Sequence, residues 1–297
     1  MTSKFINFIY YFYLNYIQKF LILSSKPYVS GDSFKKISDH IFDESEEMKI
    51  SDIKENDLLF VQTEYLQNFI EEYLPNIKNY FILLTHNSSI TINENHLKML
   101  GDKELKWFAS NLNISILKDK RIEVLPYGIK NRNNLLDGRL DAFNFNIPDH
   151  DNKKNKIYSS FNVLKNKDRV NILRISKESK IIDSKNYANR KRYIKDLSLY
   201  KYSICPSGEA VDTHRFWESL IVKTIPVVKK SDFIENLNRL NIPMLILENW
   251  EELYDINEND LSSLYETYLT QLKENNFIKL EFWLDLIDQS KLNRNLP

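Results

Sequence analysis

The chain is short of the residues that define several structural classes. Its one cysteine, Cys205, excludes an intramolecular disulfide and a cysteine-built zinc site, so the fold needs neither an oxidising compartment nor a structural metal. Five glycines exclude collagen-like and glycine-rich low-complexity chains. Neither sign of charge is in excess, with 41 Lys plus Arg against 41 Asp plus Glu. A dedicated nucleic-acid binder needs a clear basic surplus, so no nucleic-acid partner is expected, although a local cationic pocket remains compatible with zero net charge. What is present is a length of 297 residues at 42% hydrophobic content, enough for one large or two ordinary domains with a real core.

The longest apolar run is at the start, FINFIYYFYLNYIQKFLIL over residues 5–23. It is close to the ~20 residues that cross a bilayer as a helix. Asn7, Asn15, Gln18 and Lys19 interrupt it, and Tyr10, Tyr11, Tyr13 and Tyr16 prefer an interface to a hydrocarbon centre. An aromatic helix over 1–25, packed on the core or lying on a membrane surface, is expected. Lys4 alone makes a thin positive region and no small-residue cleavage site follows, so no cleaved signal peptide is expected. The corresponding location is cytoplasmic or peripheral to a membrane.

Beyond it, short apolar runs alternate with helical patterns. Residues 58–62, 80–85, 106–109 and 121–125 predict strands, with helices over 65–73 and 94–100 between them. The pattern collapses into Asn, Asp, Lys and Pro over 131–156, a domain boundary. A second series predicts strands at 157–162, 180–182, 202–205, 225–228 and 244–247, with helices at 168–176, 188–199, 213–222 and 232–240. A helical pair at about 258–274 and 277–292 closes the chain. The organisation is therefore 1–25, a first α/β half over 26–150, and a second over 151–297 that includes the terminal helices. Such alternation predicts parallel sheets with crossover helices, whose ligands bind at the carboxyl ends of the strands.

The segment richest in chemistry is CPSGEAVDTHRFWESLIVKTIPVV, residues 205–228. A strand runs into the small loop Pro206-Ser207-Gly208, and Thr213 stands where it can cap a helix starting at His214. A loop followed by a helix N-terminus favours phosphate through its free N–H groups and dipole. Arg215 and Glu218, three apart at the first turn, can clamp a diphosphate and accept from ribose hydroxyls, or simply form an ion pair with each other.

This segment resembles the donor-binding signature of exostosin-like glycosyltransferases, of the form P-x-G-x-x-x-D-T-H-R-x-W-E-x-L ending in I-P-V-V, and is similar in layout to the corresponding fucosyltransferase segment. KPYVSGDSFKKISDHIFDE, LLFVQTEYL, FILLTHNSS, KWFASN and RIEVLPYGIKNR fit the same grammar, so the resemblance runs from Lys26 to about Asn249 and is strongest over residues 205–228. Where the family pattern has Gly before Ile-Pro, this chain carries Lys223-Thr224. The resemblance implies a GT-B-like fold, two Rossmann-like halves facing across a cleft. The second half would hold a nucleotide-diphosphate-sugar, and the first a glycan, lipid or protein acceptor. Pro206, Ser207 and Gly208 would lie beneath the donor, Thr213, His214 and Arg215 would meet the diphosphate, and Glu218 would hold ribose or sugar. Asn162, Lys167 and Arg169 follow the first strand of the second half and join the donor set. No cofactor or metal is expected, because cationic side chains and helix termini can neutralise a departing diphosphate. The nearest thing to a metal-binding Asp-x-Asp pair, Asp149-His150-Asp151, falls in the polar linker.

A general base for the acceptor hydroxyl should come from the first half. Asp32, in the turn VSGDSF, and His86, after the strand FILLT, are the candidates, with Glu64, Asn87 and Asn111 near the same cleft. The basic stretch 185–201 reads as a solvated face, and Cys205 as a small core residue. The rival reading from another class is a non-catalytic GT-B-like module that binds a membrane or a partner protein.

Overall fold

The computed structural model describes residues 24–44, 48–132, 138–187, 189–274 and 276–293. The expected aromatic helix, with its membrane-surface role for residues 5–23, lies outside them. Among the described residues no helix is long and apolar enough to cross a membrane.

Two parallel five-stranded sheets form the frame. The first is ordered β1 (His40–Phe42), β2 (Leu58–Gln62), β3 (Ile82–His86), β4 (Lys106–Ala109), β5 (Ile122–Val124). Its central strands read LLFVQ and ILLTH and are buried almost throughout, as a parallel sheet covered on both faces requires. Leu59 pairs with Leu83, and Leu83 with Trp107. The second sheet contains β6 (Lys154–Ser159), β7 (Ile182–Ser184), β8 (Tyr200–Ile204), β9 (Ile225–Lys229) and β10 (Leu245–Leu247), in the order β10-β9-β8-β6-β7. Two parallel α/β halves joined by a polar connection are the arrangement the strand pattern predicts.

The orders differ in one consequential way. The first sheet follows the chain from edge to edge. In the second, the chain moves outward from β6 to β7 and returns on the other side of β6 to lay down β8. That reversal opens a crevice at the carboxyl ends of β6 and β8, where helices leave on opposite faces and ligands of such sheets bind.

Two expectations need correction and a third is refined. Strand β1 has no counterpart among the expected strands, because His40-Ile41-Phe42 is a short run between charged residues. The run expected over 65–73 is helical, as the pattern predicts, but is not a uniform α-helix: an α turn at Leu66–Asn68 passes directly into a π-helical stretch at Phe69–Tyr73. The two terminal helices also part company. Glu258–Glu274 packs through Leu261 and Tyr265 on the second half, whereas Leu280–Asn293 crosses back to the cluster built on the first sheet through Leu280, Trp283 and Ile287. Tyr28 bridges Lys279, and the Trp283 ring meets Trp217 edge-on at 6.0 Å. That cluster also holds Phe216, Leu220, Phe233 and Leu237, so the halves share continuous apolar packing.

The departure at Lys223 has a conformational meaning. The helix His214–Ile221 ends at Val222, and Lys223 takes φ of 58°. Its N–H bonds the Leu220 carbonyl at 3.0 Å, while that of Thr224 bonds Ser219 at 2.9 Å. This is the Schellman pairing, which demands a left-handed residue and is usually met by glycine. Lys223→Gly is expected to stabilise the protein by about 0.5–1 kcal/mol, the left-handed cost of a side chain less the entropy of glycine. Urea unfolding of the two proteins checks the sign.

Candidate functional site

A cavity of about 810 Å³ opens at the crevice of the second sheet. Ser160, Phe161 and Asn162 enter it after β6, Asn186 and Tyr187 after β7, and Thr213, His214, Arg215 and Glu218 after β8. Lys130 reaches it from the first half, and Arg190 and Tyr193 from the helix Arg190–Leu197. Of the expected donor residues, Asn162, Thr213, His214, Arg215 and Glu218 therefore line one space. A second cavity of similar size lies at the opposite ends of the first sheet's strands, against Leu286, and takes in none of the anticipated residues.

Several roles are redistributed. Thr213 occupies the N-cap position with extended backbone, but its side chain makes no capping hydrogen bond among the described residues. Arg215 and Glu218 do not pair. Glu218 is buried and accepts from Arg190 Nε at 3.1 Å and Nη2 at 2.9 Å. Arg190 is thus drawn out of the solvated face assigned to 185–201, while Lys191, Arg192 and Lys195 remain exposed. Arg215 Nε is shut off from solvent with no hydrogen-bond partner among the described residues, and so is the Tyr193 hydroxyl. Leaving such a buried donor unsatisfied costs about 1–3 kcal/mol, so two of them on residues that line one cavity leave hydrogen-bonding capacity that an acceptor-rich ligand completes once the side chains turn toward it.

Arg169 plays a different part from the one expected. It is buried, and donates to the carbonyls of Ser207 at 2.9 Å, Asn162 at 2.8 Å and Pro206 at 3.1 Å. Burial and the nearby Arg215 charge lower its pKa to about 10. It braces the Pro206-Ser207-Gly208 loop from behind. A Cβ on Gly208 would stand 3.1 Å from its Nη2, so the small residue admits the guanidinium. Neither this loop nor Lys167, exposed at the start of the helix Asp168–Glu178, lines the cavity. Asp149-His150-Asp151 lies around a 3-10 turn at the amino end of β6, the end away from the crevice. Among the described residues no group of three or more His, Cys, Asp or Glu is placed to hold a metal.

The candidate bases sit on the first half and are not among the residues that line the cavity. Asp32 opens the helix Gly31–Ile37. Asn87 Nδ2 donates to it at 3.3 Å, and its own N–H donates to Asn131 Oδ1 at 3.0 Å. Burial raises its pKa, with Asn87 and Lys35 pulling the other way. A Cβ on Gly31 would fall 1.7 Å from Asn87 Oδ1, so glycine is what lets this helix approach. His86 ends β3, as the pattern predicts, and is buried, with its pKa lowered to about 4 chiefly by burial. Its Nε2 donates to the Pro126 carbonyl at 3.0 Å, which leaves Nδ1 to accept from the Asn87 N–H at 2.6 Å. To accept a proton, this ring must first give up a bond. It stacks on Tyr127 at 5.3 Å, and Tyr127 stacks on His214 at 4.7 Å, a column linking the base candidates to the cavity wall.

No family model matches the chain, and no curated protein matches it by sequence. Among solved structures it is similar to one described as trehalose-6-phosphate from E. coli bound with UDP-2-fluoro glucose, at 12% identity, with 80% of this chain and 74% of that chain covered and a TM-score of 0.47. A second is an alpha,alpha-trehalose-phosphate synthase (UDP-forming) from Burkholderia vietnamiensis, at 9% identity, 82% and 73% covered, TM-score 0.45. At such identities and scores, function has to be read from the site itself.

One residue of the site gives no signal in the sequence beyond its place in Asp-Thr-His-Arg. Asp212 is buried at the junction of the halves. It accepts from the Tyr127 N–H at 2.7 Å, from the Thr213 N–H at 2.6 Å and from Trp217 Nε1 at 2.8 Å, while its own N–H donates to Asn111 Oδ1 at 3.1 Å. Burial outweighs these bonds and lifts its pKa to about 7. The folded state then holds a proton that the unfolded state releases near pH 4, so this group's contribution to stability declines as pH rises from about 4 to 7. Asp212→Asn turns one acceptor into a donor among donors and is expected to cost about 1–3 kcal/mol. The variant also loses that pH slope, so its deficit against wild type is larger at pH 5 than at pH 8. Urea unfolding at the two pH values tests both parts.

Proposed function

We propose that this protein is a glycosyltransferase that moves a sugar from a nucleotide-diphosphate-sugar donor to a hydroxyl of a glycan, lipid or protein acceptor. The observation that carries the reading is the buried Arg215 Nε, without a partner among the described residues, at the first turn of a helix, on a residue that lines a cavity at the reversal of a parallel sheet. Among the described residues Lys130, Arg190 and Arg215 line it against one carboxylate, that of Glu218, which Arg190 already pairs. An anion is the ligand such a site favours. The 810 Å³ volume falls within the range of pockets that bury drug-sized ligands, ample for a nucleotide. The likeness to proteins described as bound with a UDP-sugar or as UDP-forming is consistent with this choice of donor and adds no weight to it.

In the transfer, the bond between the anomeric carbon and the donor's diphosphate oxygen breaks, and negative charge gathers on the departing phosphate. Arg215 and the N–H groups of its helix meet that charge where it grows, which is the form of stabilisation that lowers a barrier. No metal is assigned a part. The new bond forms from the acceptor oxygen, whose proton passes to a base if configuration inverts. Asp32 suits that role better than His86, since burial raises its proton affinity whereas both His86 nitrogens are engaged. His86 and the ring column are read as support for the Asp32 cluster.

Calorimetry with UDP, GDP and ADP tests the donor half of this reading. At least one should bind, Arg215→Ala should weaken it tenfold or more, and Glu218→Ala should weaken the sugar-bearing donor. Asp32→Asn should bind donor normally and lose transfer by 10²-fold or more. Absence of binding to all three nucleotides, or equal binding by Arg215→Ala, would overturn the proposal. A donor that binds and is neither hydrolysed nor transferred would favour the non-catalytic module.

A further inference from the structure

The helix Arg190–Leu197 lies within the basic, aromatic stretch that the sequence alone assigns to a solvated face. Its outer residues Lys191, Arg192 and Lys195 are exposed. Its inner face is different. Arg190 holds Glu218 and lies over the Phe143 ring at 5.3 Å, and Tyr193 lines the cavity, its ring 6.0 Å from that of Tyr158. The Tyr193 hydroxyl is closed off from solvent and has no hydrogen-bond partner among the described residues. The charges that bear on it most are those of Arg215 and Glu218.

A buried tyrosine hydroxyl ordinarily finds a partner. This one and Arg215 Nε are both lacking an acceptor, and both residues line one cavity. Glu218 serves neither: its Oε1 receives both Arg190 donors, and neither orphan has a partner among the described residues. An oxygen-rich anion is the ligand chemistry that satisfies a neutral O–H donor and a guanidinium N–H side by side, whereas a hydroxylated sugar or a base edge leaves the guanidinium charge unmatched. We propose that Tyr193 is a donor-binding residue whose hydroxyl donates a hydrogen bond to the diphosphate of the nucleotide-sugar, sharing that group with Arg215. The inference rests on the reading of this cavity as a nucleotide-diphosphate site and adds to it a second, uncharged phosphate contact from a helix that the motif does not include.

Tyr193→Phe deletes the hydroxyl and nothing else, and since no partner is lost the unliganded melting temperature should be unchanged or slightly higher. Calorimetry of the full chain with UDP, GDP and ADP, and with uridine, guanosine and adenosine, reads the contact. The variant should bind the preferred diphosphate about tenfold more weakly than wild type, while any affinity for the matching nucleoside stays the same. Equal diphosphate affinity in the two proteins overturns the inference while Arg215→Ala, still weakened, leaves the wider reading standing. An equal loss for nucleoside and diphosphate places the contact elsewhere on the ligand and also overturns it. A fall of several degrees in melting temperature shows that the hydroxyl serves the fold, which overturns it too. If wild type binds none of the three diphosphates, both proposals fail together.

Discussion

The buried carboxylate of Asp212 is the constraint on which the geometry of the site depends. One side chain takes the Tyr127 N–H from the first half and the Trp217 indole and Thr213 N–H from the second, so the helix bearing His214 and Arg215 starts at a place set by both sheets. Asn236 repeats the device with apolar company, bonding the Ile116 N–H and the Ile114 carbonyl across the same junction. The stacked rings of His86, Tyr127 and His214 then transmit that registration from the end of β3 to the cavity. A polar group buried this deeply is tolerated because its partners are numerous, and partial satisfaction would make it a liability. Apolar packing between the halves is non-directional, and for that reason does not suffice to aim the cavity wall.

Zero net charge conceals a strongly uneven distribution. Arg169 is buried against three carbonyls with no carboxylate within ion-pair distance among the described residues, and Arg215 close by depresses its pKa further. Two cations so placed raise each other's energy. On the proposed reading that cost is the counterpart of affinity: an anion that enters relieves repulsion already present, with little reorganisation. The pairing of Glu218 with Arg190 belongs to the same balance, since it withdraws the cavity's carboxylate from Arg215 and leaves the guanidinium for the ligand.

How far the sequence discloses this depends on the kind of signal. The central strands of both sheets are legible because parallel strands buried on two faces leave continuous apolar runs such as ILLTH and IPVVK. The Thr-His-Arg helix is legible because a small loop and a helix start leave local marks. Partner choice leaves none. Nothing in Arg190-Lys191-Arg192 separates the residue that grips Glu218 from the two that face water, and an apolar helix such as Leu280–Asn293 announces burial without saying against which half. The scarcity of glycine is also answered in a way composition hides. Asn56, Asn87, Asn111 and Asn241 take positive φ, which asparagine tolerates better than most side chains. Two of them, Asn87 and Asn111, turn the chain after β3 and β4 while serving Asp32 and Asp212. Glycine in their place could make the turn and not the hydrogen bond.

Lys153 acts on the same field from the far side. It sits in what composition marks as a linker, yet it is buried, and its Nζ donates to the carbonyls of Ser198 and Val222 at 2.8 Å each. Those carbonyls cap the helices Arg190–Leu197 and His214–Ile221, the two whose first turns supply Arg190, Tyr193, His214 and Arg215 to the cavity. Both dipoles therefore point their positive ends at the cavity and have their negative ends gathered on one ammonium. Burial and the neighbouring Lys223 lower the pKa of Lys153 to about 7, so the strength of that anchor varies with pH around neutrality. The charged form binds the carbonyls more strongly but costs more to bury, and the left-handed Lys223 adds to that cost. A glycine at position 223, by removing the second ammonium, would favour the charged Lys153 and so strengthen the field that the two helices direct into the site.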